Sequence, residues 1–231
     1  MFSAWLQCLA LMVLALIPTL PLTNAHMAML FPPPRGGWGT AQFDWKIHTF
    51  IGYNGFKFPC GGYKKGKVTP MKAGDIIPVR FWTSDMTYSQ HITELPKKSY
   101  NEARHGGGLC EFSLSYDGGK SFRVIATYTK TCPDVLFKWP VRIPDNVPSC
   151  KKSGECLFSW SWTSALVPQY YHNCADVTIE GKANGRLPSK KMQVYNFKGY
   201  KQKTFPGDGR SHSPGSGPIK SEIVANTRKW I

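Results

Sequence analysis

The sequence is short of acidic side chains and of helix signals. It has 14 Asp and Glu against 29 Lys and Arg in 231 residues, a formal net charge of +15. No pair of carboxylates is clearly arranged for hydrolysis, and no Cys-x-x-Cys pair of the kind that binds zinc is present. We find no internal repeat and no helical periodicity of useful length. With 42% hydrophobic and 19% charged residues, the composition excludes a disordered polymer and a protein with many membrane spans.

Residues 1–25 carry no charged side chain and contain the longest apolar run of the sequence. The run is short for a membrane-spanning helix, and Pro18 and Pro21 interrupt its end. We therefore predict a secretory signal peptide that is cut after Ala25, so that the mature chain begins at His26. A retained signal anchor is the alternative, and the absence of a basic segment before the run is in its favour.

Seven cysteines are present, and Cys8 would leave with the signal peptide. Six cysteines allow 15 pairings, so their spacing alone cannot select one. Cys150 and Cys156 enclose only five residues, and Cys110 and Cys132 bracket a predicted hairpin. Cys60 and Cys174 would then be joined by elimination. We expect the disulfides Cys60–Cys174, Cys110–Cys132 and Cys150–Cys156. The even set fits an exported protein.

Short strand patterns separated by turn residues extend from His26 to Glu180. The composition agrees, with 22 Gly, 18 Pro and 13% aromatic residues. Side chains alternate in 111–116, and Asp117-Gly-Gly119 turns the chain into 121–128, which predicts a hairpin. Further strand patterns occupy 76–82, 157–162 and 175–179. The sequence predicts an all-β fold, an immunoglobulin-like antiparallel sandwich with long loops that disulfides staple.

The composition changes after Glu180. Residues 181–231 hold 11 Lys and Arg against Asp208 and Glu222, and 206–218 has the composition of a flexible linker. We predict that these residues form a solvated tail. The alternative is an electrostatic tether to an acidic polymer. We expect truncation after about Glu180 to leave folding largely intact. No nucleic-acid-binding module accompanies the charge, so we expect no nucleic-acid partner.

The predicted new terminus offers an unusual pair of metal donors. His26 would carry both an imidazole and a free α-amine, whose pKa of roughly 8 is well below the roughly 10.4 of lysine. That amine loses its proton to a metal comparatively easily, so the amine and Nδ1 can chelate one ion. A second histidine on a loop can supply a third nitrogen. Such a nitrogen-rich site suits copper.

Two other segments could complete this site. His105 is followed by three glycines, which leave room for a metal or a flat substrate, although a glycine-rich turn beside a solvated histidine would look the same. Gln169 and Tyr171 are two residues apart, so in an extended segment they face the same side. An ordinary buried tyrosine with a satisfied hydroxyl is the alternative for Tyr171.

Together these segments resemble the copper-dependent lytic polysaccharide monooxygenases, most closely the fungal chitin-active group, auxiliary activity family eleven. The likeness covers nearly all of 26–180, and the motifs occur in a highly specific order. These motifs are His26-Met-x-Met, Phe58-Pro-Cys-Gly-Gly-Tyr63, Ala103-x-His105-Gly-Gly-Gly-x-Cys110, Ser115-Tyr-Asp-Gly-Gly-Lys-Ser-Phe122, Thr131-Cys-Pro133, Phe158-Ser-Trp-Ser-Trp162 and Tyr171-x-Asn-Cys-Ala-x-Val-Thr-Ile179.

The resemblance implies a histidine brace around one copper ion. His26, through its amine and Nδ1, and His105, through Nε2, are the implied ligands, and Tyr171 takes the axial side. Ala103 matches the small residue that crowds the other axial position. Gln169 stands where the chitin-active group usually has Glu, as in the Gln-x-Tyr motif of cellulose-active fungal relatives. The overall likeness to the chitin-active group makes chitin the expected substrate, and the departure at Gln169 makes cellulose the second.

The implied reaction is oxidative cleavage of a β-1,4-linked polysaccharide. Oxygen or peroxide is activated at reduced copper, hydrogen is abstracted from a sugar carbon, and the glycosidic bond breaks by elimination. The expected partners are an insoluble polysaccharide and an external electron donor, and the expected form is a monomer, extracellular or in the cell wall, without a membrane partner. The expected domains are the signal peptide 1–25, the copper monooxygenase domain 26–185 and a basic, largely disordered tail 186–231.

A flat substrate calls for exposed aromatic rings around the metal. Trp38, Trp45 and Tyr53 are our candidates for substrate binding, although large aromatic rings more often pack beneath their own loop. His48, His91 and His212 have no partner pattern and stay unassigned. Two other functions remain open: a copper carrier of the same fold without cleavage activity, and a non-catalytic wall protein that binds polysaccharide. The pair of Gln169 and Tyr171 favours the enzyme.

Overall fold

The computed structural model describes residues 26–83, 86, 95–96, 104–218 and 223–224, and its nine strands form two sheets. A three-stranded sheet has the order β1-β3-β6 and a six-stranded sheet has the order β2-β8-β7-β4-β5-β9. The strands are β1 (Met27–Phe31), β2 (Val68–Lys72), β3 (Ile76–Thr83), β4 (Gly108–Ser115), β5 (Arg123–Tyr128), β6 (Trp139–Arg142), β7 (Leu157–Ser164), β8 (Tyr170–Glu180) and β9 (Ile223–Val224). The prediction of an all-β sandwich is confirmed.

Neighbouring strands are antiparallel, except that β2 and β8 are parallel. The described helices are two short 3₁₀ helices, Trp45–His48 and Tyr53–Gly55, in the long loop after β1. Across the described ranges, no helix has the length and apolar character that a membrane crossing requires.

The core lies between the two sheets and is rich in aromatic rings. Phe81 of β3 contacts Trp160 of β7, with ring centroids 4.8 Å apart, and Tyr128 of β5 meets Trp139 of β6 at 5.0 Å. These rings are fully buried. Large aromatic side chains bury much apolar surface and hold the sheets in one arrangement.

Three disulfides staple the sandwich, as predicted. Cys60–Cys174 joins the loop before β2 to β8, Cys110–Cys132 joins β4 to the segment after β5, and Cys150–Cys156 closes a short turn before β7. The first two hold loops next to strands that are distant in sequence. Each restricts the unfolded chain and thereby stabilises the fold.

The tail differs from its predicted form. Strands β4 and β7 are buried on both faces, because residues beyond β8 cover the outer face of the large sheet. The buried Glu111 of β4 accepts a hydrogen bond from the backbone of Gln193 at 2.8 Å and pairs with Lys190 at 2.7 Å. The ring of Phe197 lies 5.9 Å from that of Tyr170.

The stretch 206–218 also packs on the sandwich, so it is not a flexible linker. Asp208 pairs with the fully buried Arg104 at 3.0 Å, and the hydroxyl of Ser213 accepts a hydrogen bond from the backbone of Val135 at 3.1 Å. The prediction of a flexible linker, which was based on composition, is therefore wrong. A segment rich in Gly, Pro and Ser without periodicity carries no local sign of the hydrogen bonds that it forms with a distant surface.

Candidate metal centre

His26 lies immediately before β1, whose pairing with β3 fixes it at one end of the sandwich. Ala28 pairs with Trp82 in this ladder. The backbone N–H of Met29 donates to Oδ1 of Asn173 at 2.8 Å, and the Asn173 amide donates to the carbonyl of Ile47 at 3.0 Å. Asn173 thus links β1 to β8 and to the long loop, which restrains the backbone next to His26.

His105 occupies a tight turn before β4 and has a left-handed backbone, with a φ of 48°. A Cβ at Gly107 would lie 1.6 Å from the carbonyl oxygen of Lys130, and one at Gly108 would lie 2.2 Å from that of Thr163. These two glycines are therefore required by the close approach of neighbouring backbone. That reason holds whether or not a metal or a flat substrate needs the space.

The imidazole of His105 is suited to bind a metal. Burial, the largest cause, lowers its pKa to about 4, a contact with Gln169 acts in the opposite direction, and the charge of His26 lowers it further. At neutral pH the ring is neutral, which is the form that ligates metals. Nε2 is buried and has no hydrogen-bond partner among the described residues. A buried nitrogen without a partner is costly unless a ligand uses its lone pair.

Gln169 and Tyr171 face the same side of the chain, as their spacing predicts. The Tyr171 hydroxyl donates to Oε1 of Gln169 at 2.7 Å, and burial raises the Tyr171 pKa, so the phenol keeps its proton. Trp162 stacks on Tyr171, with centroids 4.4 Å apart, and also on His105 at 6.0 Å. The indole of Trp162 thus lies against both the phenol and the imidazole, and packing fixes their orientations.

His48, which the sequence left unassigned, lies against His26. Their ring centroids are 4.9 Å apart at an interplanar angle of 86°. Burial, and then the charge of His26, lower the His48 pKa to about 4, and its Nδ1 is buried without a hydrogen-bond partner in the described ranges. No sequence signal could identify this neighbour, because the fold of the long loop brings it there. His212 is exposed in the tail, and His91 lies outside the described residues.

The proposed substrate-binding aromatics divide into two groups. Trp45 and Tyr53 are 48% and 43% exposed, and the Tyr53 ring lies 6.4 Å from that of His26. Trp38 is partly buried and stacks on Trp82, with centroids 5.9 Å apart, so it packs beneath the loop. Ala103, expected to crowd the axial position, lies outside the described residues.

Two exposed apolar residues that were not predicted from the sequence lie beside His105. Leu166 and Val167 are 67% and 37% exposed, and the backbone N–H of Leu166 donates to the carbonyl of His105 at 3.0 Å. They belong to the loop between β7 and β8, in a segment without alternation, so sequence gave no reason to single them out. With Trp45 and Tyr53 they add exposed apolar side chains around the histidines.

A group of potential metal ligands around His172 is not a metal centre, because two of its members form a disulfide. His172 lies between Cys60 and Cys174, and the three side chains form a group with the spacing of metal ligands. The two sulfurs are bonded to each other, so neither is a thiolate. Nδ1 of His172 accepts the backbone N–H of Cys60 at 3.1 Å, and burial lowers the His172 pKa to about 3. Its role is structural.

The chain is similar in sequence to a known polysaccharide monooxygenase. The sequence matches no family model. It is 35% identical, over 169 residues, to the AA11 family lytic polysaccharide monooxygenase A of Aspergillus fumigatus (strain CBS 144.89 / FGSC A1163 / CEA10), covering 71% of this chain and 68% of that protein. Among solved structures, the extended catalytic domain of H. jecorina LPMO9A, also called EG4, matches with a TM-score of 0.35 and 14% identity over 70% of this chain and 74% of that one.

Proposed function

Because the chain belongs to the AA11 family of lytic polysaccharide monooxygenases, we propose that the mature protein cleaves chitin by copper-dependent oxidation at a histidine brace, with cellulose as the second substrate. The observation that carries the proposal is the buried Nε2 of a neutral His105, which has no hydrogen-bond partner in the described part of the chain and lies within electrostatic reach of His26. We propose a secreted monomer, extracellular or in the cell wall, which uses an external electron donor.

The proposed ligands fit one copper ion. His105 would contribute Nε2, and His26 would contribute Nδ1 and the α-amine that cleavage after Ala25 exposes. Nitrogen donors suit copper, and all three nitrogens must be without protons to bind it. The imidazole of His105 already meets that requirement near neutral pH, and an α-amine, whose pKa is roughly 8, gives up its proton to a metal comparatively easily. Bound copper would supply the redox chemistry with oxygen or peroxide.

The residues around these ligands orient the site and control its hydrogen bonds. Gln169 contacts both the Tyr171 hydroxyl and the His105 ring, so it connects the axial phenol to a ligand. Trp162 restricts both rings by stacking. Tyr171 is buried and Gln169 holds its hydroxyl, so beside a bound copper ion it would limit access of water. Tyr171 and Ala103 remain our proposals for the two residues that would flank the metal.

The exposed side chains near the histidines suit a flat carbohydrate surface. Trp45 and Tyr53 offer ring faces to sugar rings, and Leu166 and Val167 offer apolar contacts on the His105 side. Trp38, packed against Trp82, would support this face from below.

We expect oxidised oligosaccharides when the copper-loaded mature protein is incubated with chitin and a reductant. Mass spectrometry of the soluble products, with parallel incubations on cellulose, measures both the reaction and the substrate. The same protein stripped of copper by a chelator serves as the control and should release none. Polysaccharide binding without oxidised products would instead support the wall-binding protein. Copper binding without polysaccharide binding or products would support the carrier.

We expect the secreted protein to begin at His26, because the proposed α-amine ligand exists only after cleavage behind Ala25. Edman sequencing or top-down mass spectrometry of material recovered from a culture medium checks this directly. A different first residue, or a blocked amine, would remove one of the three nitrogen ligands, and the proposed brace would fail with it.

A further inference from the structure

The residues on both sides of His105 are held by the tail. We call residues 206–217 the strap. The backbone N–H of Asp208 donates to the carbonyl of Gly106 at 2.8 Å, and the N–H of Arg104 donates to the carbonyl of Ser211 at 3.4 Å. A Cβ at Gly207 would lie 2.0 Å from the Gly106 carbonyl oxygen, so the strap touches the turn directly.

The side chain of Arg104 ties the strap to the turn more strongly. It is fully buried, and Nη1 donates to both carboxylate oxygens of Asp208, at 3.0 and 3.2 Å, and to the carbonyls of Arg210 and His212, each at 3.2 Å. Its remaining nitrogens donate to the carbonyls of Pro133, at 2.7 Å, and Thr131. A buried cation is tolerated only when it is paired and hydrogen-bonded, and the strap supplies the pairing carboxylate.

A second contact holds the far part of the strap. The buried carboxylate of Asp134 accepts the backbone N–H of Gly215 at 3.0 Å, and the Thr131 hydroxyl donates to the carbonyl of Gly217 at 3.1 Å. Asp134 and Thr131 flank Cys132, whose disulfide partner is Cys110 of β4. The strap, the segment 131–134 and the turn around His105 are therefore one connected unit.

We propose that Arg104 and Asp208 are positioning residues for the metal ligand His105, and that the strap is part of the monooxygenase site. His105 has a left-handed backbone, a conformation that a non-glycine residue keeps only when its surroundings enforce it. The ion pair and the backbone hydrogen bonds at 104 and 106 provide that enforcement. This inference rests on the proposed role of His105 as a copper ligand.

The variant Asp208→Asn tests the proposal, because it removes the carboxylate charge and keeps the side-chain shape. Copper titration of the metal-free mature chain by calorimetry should show an affinity roughly 10-fold weaker or more, the size of effect known for residues that orient a metal ligand. The paramagnetic resonance spectrum of the Cu(II) form should also change. The control Glu180→Gln removes a carboxylate from an exposed pair with Lys72 and should leave both readouts unchanged.

A second variant, Gly207→Ala, presses the strap away from Gly106 without altering charge, so it tests the proposal if Asp208→Asn does not fold. Thermal melting of each variant separates folding from positioning. Unchanged copper affinity and spectrum in the folded variants would overturn the inference, even if their melting temperatures fell. Copper binding that is equally tight in His105→Ala and the parent chain would instead overturn the proposed function itself.

Discussion

A chain that ends at Glu180 is expected to lose most of its free energy of unfolding. Truncation removes Asp208, leaving the fully buried Arg104 without its carboxylate, and removes Lys190 and Gln193, the partners of the buried Glu111. Breaking a buried ion pair by removing one partner costs about 3–5 kcal/mol. Because a whole domain is stable by only about 5–15 kcal/mol, one such loss and the newly exposed sheet face should leave little stability.

Urea unfolding followed by circular dichroism, on chains ending at Glu180 and at Ile231, measures this loss. A chain ending at residue 218 is the matched control, because it keeps the strap and the cover over Glu111. We expect the control to unfold close to the full chain and the shorter variant to be unfolded, or nearly so, at 25 °C. Equal midpoints for all three would restore the view, based on composition, that the tail does not contribute to folding.

Replacement of His105 by alanine is expected to weaken copper binding more than about 100-fold. Loss of a residue that only orients a metal ligand usually weakens binding by about 10–100-fold. Loss of the nitrogen ligand itself should have a larger effect. The Cu(II) resonance spectrum typical of a three-nitrogen site should disappear. Calorimetry and paramagnetic resonance on the mature chain measure both effects.

Two further variants make this result specific. His212→Ala removes an exposed imidazole but keeps the backbone carbonyl that accepts a hydrogen bond from Arg104, so this variant should bind copper as the parent chain does. His105→Asn keeps a residue that accepts the left-handed backbone, so its turn should be less disturbed, yet its copper affinity should fall similarly. An unchanged spectrum in both His105 variants would exclude this residue as a ligand.

Part of the site could be predicted from local spacing. Gln169 directly precedes β8, and the alternation of an extended chain places its side chain on the same side as that of Tyr171, where the observed hydrogen bond of 2.7 Å joins them. The histidine ligands stay predictions, although they are supported by the buried His105 nitrogen, for which no described residue is a hydrogen-bond partner. The neighbour of His26 at 4.9 Å, His48, could not be predicted, because its position depends on how a long loop folds over β3.

The sequence by itself determined the strand pattern, since alternating side chains record which face of a strand meets the core. It also determined the family, since the motifs occur in one specific order along 26–180. Only the tertiary structure decided the role of the tail. Arg104 and Asp208 are 104 positions apart, and nothing in the local pattern of either segment signals that the two charges meet. Burial makes that pairing obligatory, because a cation removed from water must find its carboxylate within the fold.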